Sequence, residues 1–545
     1  MPARIASGTF CYVLRLLQAF ASIAIKFYAY EQGKGHMRIE RSCGVLLHIT
    51  SLPGKYGIGT LGDEAFQFAD MLHKGGQSYW QILPLGPVSA SQGYSPYAST
   101  STFAGNYLFI SLEKLQAHAW FSRDLDSAAF ADDDFVDFAS VVEHKLALLR
   151  AAAADFFTLA PEPEIRAFEA FCASARHWLD DYSLFSALAG HFGTNHWHRW
   201  DRPVSRREPG ALAAWRSRLQ ESIRFHQFVQ FIFFKQWAEL KAACNSRGIK
   251  IIGDIPIYIT LDGADAWAHP EIFQINAKTR MPGAVAGVPP DYFSKTGQRW
   301  GNPLYRWQDK HKKLNRAAVS WWARRIRHLT GLVDSMRIDH FRGFDTYWSV
   351  PAKEATAVNG TWAQGPGLEF FRQLQEELGD LPLIAEDLGD ITPAVTKLRE
   401  DLGLPGMKIL QFAFDFKNKN SYLPHTYTDP HCVVYTGTHD NNTTSGWFYG
   451  PEIDDATRQY ILEYMGAAGH YDIHWQLIRL AFRSVANLVI IPAQDILGYG
   501  AELRMNLPGT AENNWRWKLR GGRITGELME QLRCMAHLYD RAQAE

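Results

Sequence analysis

Eight short apolar runs punctuate this 545-residue chain, and stretches of helical period separate most of them. They lie at residues 44–49, 79–84, 249–254, 333–339, 381–386, 407–412, 432–435 and 487–491. Their apolarity is nearly continuous rather than alternating, as in parallel strands buried on both faces. Between them, segments such as 64–72 and 370–378 place apolar residues at helical spacing. Strand and helix alternating eight times predicts an α/β fold, a (β/α)8 TIM barrel. The spacing is uneven at one point, where residues 85–248 separate the second run from the third. Residues 141–159 and 164–179 are helical in period there, so a mostly helical insertion, placed at 110–230, is expected after the second strand. It runs into an aromatic helix from Phe225 to Trp237, expected to pack back on the barrel. Without internal repeats or low-complexity linkers, one barrel with insertions over 37–545 accounts for the chain better than separate domains.

Three acids stand at the ends of strand-like segments: Asp339, Glu386 and Asp440. An acid behind four or five apolar residues is costly unless it emerges at a solvent-facing strand end. A barrel collects such ends at one rim, where catalytic groups gather. Arg337 precedes Asp339 by two residues and shares its strand face, so it can hold the aspartate ionised. An ordinary buried ion pair is the competing reading. Glu386 and its neighbour Asp387 compete with a helix N-cap role, and Asp440, after His439 in a polar cluster at 438–443, competes with a simple polar loop. Three such coincidences at three strand ends favour chemistry. Paired carboxylates suit glycosidic bond cleavage, one attacking while ionised and the other protonating the leaving oxygen. A third carboxylate and a histidine can bind sugar hydroxyls and favour an oxocarbenium-like transition state.

Other classes are set aside on composition and spacing. The net charge of −1 gives no basis for nucleic-acid or anionic-membrane partners. Arg15, Gln18 and Lys26 interrupt the apolar stretch near the N-terminus, so no membrane span is expected. Residues 1–36 read as an N-terminal extension outside the fold, ahead of a start at Met37, with a targeting segment as the alternative. Six scattered cysteines suit a reducing, cytoplasmic setting. Gly57-Ile-Gly-Thr-Leu-Gly62 spells G-x-G-x-x-G, but it stands off from its preceding run and lacks the following acid of a dinucleotide site. It reads as a glycine-rich first loop. His196-Trp-His198 lacks a third nitrogen or sulfur ligand at helical or hairpin spacing and reads as a packed loop, so no metal is expected.

Several ordered blocks carry a resemblance. They include Gly44-Val-Leu-Leu-His-Ile-Thr-Ser-Leu-Pro-Gly54, Tyr94-Ser-Pro-Tyr97, Gly253-Asp-Ile-Pro-Ile-Tyr258 and Gln298-Arg-Trp-Gly-Asn-Pro303. Arg337-Ile-Asp-His-Phe-Arg-Gly343, Ala385-Glu-Asp-Leu-Gly389, Gly437-Thr-His-Asp-Asn441 and Arg504-Met-Asn-Leu-Pro-Gly-Thr510 continue it. From about residue 41 to 519 the chain resembles the 4-α-glucanotransferases (amylomaltases or disproportionating enzymes) of glycoside hydrolase family 77. The resemblance implies Asp339 as nucleophile, Glu386 as general acid/base and Asp440 as transition-state stabiliser. It implies that Arg337 and His439 hold the donor sugar, that Tyr97 lies under it, and that Asp254, His340 and Asn506 border the same pocket. The segment 280–305 resembles the family's substrate-covering loop, from which Tyr292, Phe293 and Trp300 would stack acceptor sugar and exclude water. A packed surface loop is the competing reading. The implied partners are malto-oligosaccharide, glucan and glucose, with no cofactor and an open oligomeric state. An α-amylase-type hydrolase and a non-catalytic glucan-binding barrel are the rival readings.

Overall fold

The computed structural model describes residues 39–121, 123, 125, 130–290, 294–414, 420–467 and 469–542. The expected extension 1–36 and the residues Tyr292 and Phe293 lie outside them. Each of the eight apolar runs contributes a strand: β1 (Ser42–Leu46), β2 (Tyr79–Gln81), β3 (Lys250–Ile255), β6 (Ser335–Ile338), β9 (Leu383–Ala385), β10 (Gly406–Ile409), β11 (Cys432–Tyr435) and β12 (Leu488–Pro492). They form one parallel sheet in the order β10-β11-β12-β1-β2-β3-β6-β9. Six of the eight are buried at every position, which is why their sequences show no alternation. The sheet is nearly closed into a barrel. Its two ends meet where Ala385 N–H donates to the Pro405 carbonyl at 2.9 Å and Met407 N–H donates to Asp387 Oδ1 at 2.7 Å. β1 approaches β2 so closely that a Cβ on Gly44 would stand 2.4 Å from the Tyr79 carbonyl oxygen. Only glycine fits that position.

A second sheet was not expected from the sequence. β4 (Ala284–Val288), β5 (Gln298–Pro303), β7 (Thr346–Pro351) and β8 (Thr361–Gln364) pair antiparallel in the order β5-β4-β7-β8. β5, β7 and β8 are partly exposed, so they lack the apolar runs that disclose the barrel strands. The segment 280–305 is therefore built on the hairpin β4–β5 rather than on irregular loop alone.

Between β2 and β3 the chain is largely helical. Its long helices are Phe138–Leu159, Glu162–Phe192 and Gln220–Ser246. The last contains the aromatic segment, and Trp237 Nε1 donates to the Leu332 carbonyl just ahead of β6 at 2.9 Å, docking the helix on the barrel. Two glutamines in it are buried for a reason. The Gln230 amide exchanges two hydrogen bonds with the Gly105 backbone (2.7 and 2.9 Å), and Gln236 does the same with Ser111 (2.8 and 3.0 Å). Backbone groups of the loop beyond β2 are thereby satisfied inside the core. Among the described residues, no helix is long and apolar enough to cross a membrane.

Candidate active site

All strands of the larger sheet run parallel, so their carboxyl ends share one rim. On three consecutive strands that rim carries ionisable groups. Asp254 of β3 pairs in register with Arg337 of β6, and Asp339 and Glu386 directly follow β6 and β9. Backbone bonds fix both acids: Asp339 N–H donates to Ile255 O at 3.0 Å, and Glu386 N–H to Ile338 O at 3.1 Å.

Arg337 organises the cluster. Its Nη1 donates to both Asp254 oxygens (2.9 and 2.7 Å), and its Nη2 lies 2.9 Å from Asp339 Oδ1. The Asp254 side chain has no exposure and also accepts from Tyr97 OH at 2.7 Å. Asp339 differs in keeping 28% of its side chain open. The same guanidinium thus anchors one dry carboxylate and orients a second, accessible one.

Among the described residues, Glu386 has no such partner. Its Oε2 accepts the backbone N–H of His340 at 2.6 Å. His340 adopts the left-handed conformation, φ 51°, which is uncommon for a residue with a Cβ. Burial pushes the Glu386 carboxyl well above the ordinary glutamate range, with Arg337 opposing and the Asp339 charge adding to the rise. Burial also raises Asp339, but there Arg337 is in direct contact and opposes it. Asp254 is pushed up to about 7 by burial against the same guanidinium. Of the two acids facing the rim, Glu386 is the one set to keep a proton and Asp339 the one set to lose it.

Asp440 and His439 follow β11. Asn506 Nδ2 donates to Asp440 Oδ1 at 2.6 Å, and His439 Nε2 lies 3.4 Å from the same oxygen. Burial lowers His439 to about 4, so it is neutral near pH 7. Its ring stacks on Tyr97 at 5.0 Å between centroids. Trp300, on β5, meets the His340 ring edge-on at 5.0 Å and is 39% exposed. The structure thus gathers Tyr97, Asp254, Arg337, Asp339, His340, Glu386, His439, Asp440 and Asn506 in one contact network, with Trp300 at its margin.

Sequence reasoning passed over three contributors. Trp515 packs against both Tyr97 and His439 (5.6 and 5.9 Å). Arg504 Nη2 donates to the Asp440 carbonyl at 2.9 Å. Asp495, fully buried, accepts from Thr436 Oγ1 and from Thr444 N–H and Oγ1, bracketing the segment that carries His439 and Asp440. Asp495→Ala leaves those donors without an acceptor and should cost about 2–3 kcal/mol of stability. Denaturant unfolding against the wild type checks it; a loss under 0.5 kcal/mol, roughly the scale of a surface substitution, would contradict this account.

Similarity to known proteins is extensive. A family model described as 4-alpha-glucanotransferase matches residues 47–525. A 4-alpha-glucanotransferase of Synechocystis sp. is 47% identical over 92% of this chain and 98% of its own. One from Thermus thermophilus is 45% identical over 93% of this chain and all of its own. Among solved structures, amylomaltase from Streptococcus agalactiae in complex with acarbose superposes with a TM-score of 0.88 at 39% identity, covering 92% of this chain and all of that one.

Proposed function

This chain belongs to the 4-alpha-glucanotransferase family, and from that premise we propose how its rim of carboxylates performs the transfer. The protein is a 4-alpha-glucanotransferase: it moves glucan segments between oligosaccharides. Asp339 attacks the anomeric carbon of the donor while Glu386 protonates the glycosidic oxygen, which leaves with the reducing-end fragment. A glycosyl ester on Asp339 results, with inversion at that carbon. Glu386, now ionised, takes the proton from the 4-hydroxyl of an acceptor glucose or glucan, whose oxygen displaces Asp339 and inverts the centre again. The product keeps the α configuration. Asp440, held by Asn506 and beside His439, faces the charge that develops on the sugar ring.

The observation that carries this assignment is the asymmetry around Arg337. The guanidinium contacts Asp339 directly and leaves Glu386 to a single backbone N–H. That division supplies an ionised nucleophile and a protonated acid within one site. No organic cofactor or metal enters these steps.

The closed (β/α)8 barrel as the catalytic unit over 37–545, the helical insertion at 110–230 and the covering segment at 280–305 form the domain reading that accompanies this function. A cytoplasmic location is part of it, supported by free cysteines at 43, 172, 244, 432 and 534. Malto-oligosaccharides are the proposed donors and acceptors.

Trp300 is the residue placed to favour sugar over water as acceptor. The indole packs perpendicular to the His340 ring, and its exposed part offers an apolar surface to a sugar ring. Incubation with maltotriose should give glucose and a ladder of longer chains. Products no longer than maltotriose would overturn the transfer reading in favour of hydrolysis. Trp300→Ala should raise the acceptor KM and the hydrolysed share by roughly 3- to 10-fold, the scale of one lost aromatic contact. An unchanged transfer-to-hydrolysis ratio would remove Trp300 from this role.

A further inference from the structure

The His196-Trp-His198 segment lacks a third ligand at local spacing, but the fold brings one from elsewhere. The loop after β3 places Asp262 between the two imidazoles. His196 Nδ1 lies 2.9 Å from Asp262 Oδ2, and His198 Nδ1 lies 3.8 Å from Oδ1. The three ligand atoms all fall within 4.8 Å of one another. We propose that His196, His198 and Asp262 form a binding site for a divalent transition metal of zinc-like preference, distinct from Asp339, Glu386 and Asp440.

Three observations carry this. The first is that the cluster is prebuilt. Trp197, between the histidines, is fully buried, and its Nε1 donates to the Leu261 carbonyl at 2.7 Å. That bond ties the turn Trp197–Arg199 to the residue preceding Asp262, fixing both halves of the cluster against each other.

The second is that these groups do not satisfy each other as hydrogen-bonding partners. His196 Nδ1, His198 Nδ1 and Asp262 Oδ1 are buried atoms with no hydrogen bond among the described residues. The nearest approach is His196 Nδ1 to Asp262 Oδ2, at 2.9 Å. Buried ring nitrogens and a carboxylate oxygen left without partners are the groups a metal ion would engage.

The third is the donor set. Two imidazole nitrogens and one carboxylate oxygen suit zinc and its neighbours, whereas calcium and magnesium prefer all-oxygen shells. Bonds of about 2.0–2.2 Å would bring the ligand atoms to roughly 3.3 Å apart. The observed separations, 2.9 Å, 3.8 Å and none above 4.8 Å, differ from that by about 1.5 Å at most. The His196 side chain is 41% exposed, so the cluster lies near the protein surface.

The consequence is structural. The loop carrying Asp262 also accepts from Asn302 Nδ2 at Ile259 O (2.7 Å) and from Tyr305 OH at Ile257 O (2.8 Å). A metal at Asp262 would therefore clip the helical insertion to the loop that holds the Trp300 hairpin.

The test uses the full chain, freed of metal by chelation, with Zn2+ measured by equilibrium dialysis and Co2+ read by visible absorption. Wild type should take up one equivalent of Zn2+, show a tetrahedral Co2+ spectrum, and gain a few degrees in Tm with Zn2+. His196→Ala and Asp262→Asn should each weaken binding at least 10-fold and abolish the Tm gain, whereas His311→Ala, an exposed histidine elsewhere, should change neither. His196 is the most exposed of the three, 41% against 12% for His198 and 16% for Asp262, so its variant is the one expected to fold even if changes at the other two do not. Absence of stoichiometric uptake, or equal uptake by wild type and His196→Ala, would overturn the site and leave an ordinary histidine–aspartate cluster.

Discussion

Asp339→Asn is expected to lower kcat for transfer between malto-oligosaccharides by roughly 10^4-fold or more, the scale seen when an essential nucleophile is removed. The substitution is nearly isosteric, and the asparagine carbonyl can still accept from Arg337 Nη2, which lies 2.9 Å from the aspartate oxygen. Arg337 does not lose its neutralising partner either, because Asp254 keeps both hydrogen bonds to Nη1. The variant should therefore unfold within a few degrees of wild type while losing the anionic oxygen that forms the glycosyl ester. Initial rates on maltotriose, run beside thermal unfolding, separate the two effects. Intact-mass measurement gives a second check: an activated donor should add a glycosyl unit to the wild type and none to the variant. Residual transfer within 100-fold of wild type, or labelling of the variant, would remove Asp339 as the nucleophile.

What the sequence disclosed follows from which groups leave a local mark. β6, β9, β11 and β12 are buried at every position, so their apolar runs stand out against helical neighbours. β5 and β8 carry exposed residues, glycine or mixed polarity, and no period identifies them. The acids Asp339 and Glu386 were legible because each interrupts an apolar run at its last step. Asp495 was not, since it lies beyond β12 inside the short helix Ala493–Ile496, where an acid looks unremarkable. Trp515 and Asp262 leave no signal at all: each meets its partners across distant sequence. His340 was legible as a residue but not in its function here. Its main-chain N–H, turned by a positive φ, contacts Glu386, and no side-chain pattern encodes that.

The same N–H makes Glu386→Gln a clean substitution, because a glutamine oxygen can accept from His340 as Glu386 Oε2 does. What disappears is the proton. Burial raises the Glu386 pKa well above the usual range, so the acid form is complete at low pH and is lost as pH rises through that value. Wild-type kcat/KM should consequently fall on the alkaline side as Glu386 ionises, and on the acid side as Asp339 takes a proton. In Glu386→Gln the limb due to Glu386 should vanish. The rate on maltotriose should drop about 10^2- to 10^4-fold, the usual contribution of a general acid. A glycosyl fluoride leaves without protonation, so formation of the Asp339 ester from it should slow less than about 10-fold. Turnover would then stall at the ester, because the acceptor hydroxyl no longer has a base, and an anionic nucleophile such as azide should release it. Equal losses on maltotriose and the fluoride, or an alkaline limb that survives the substitution, would place the acid/base on another group.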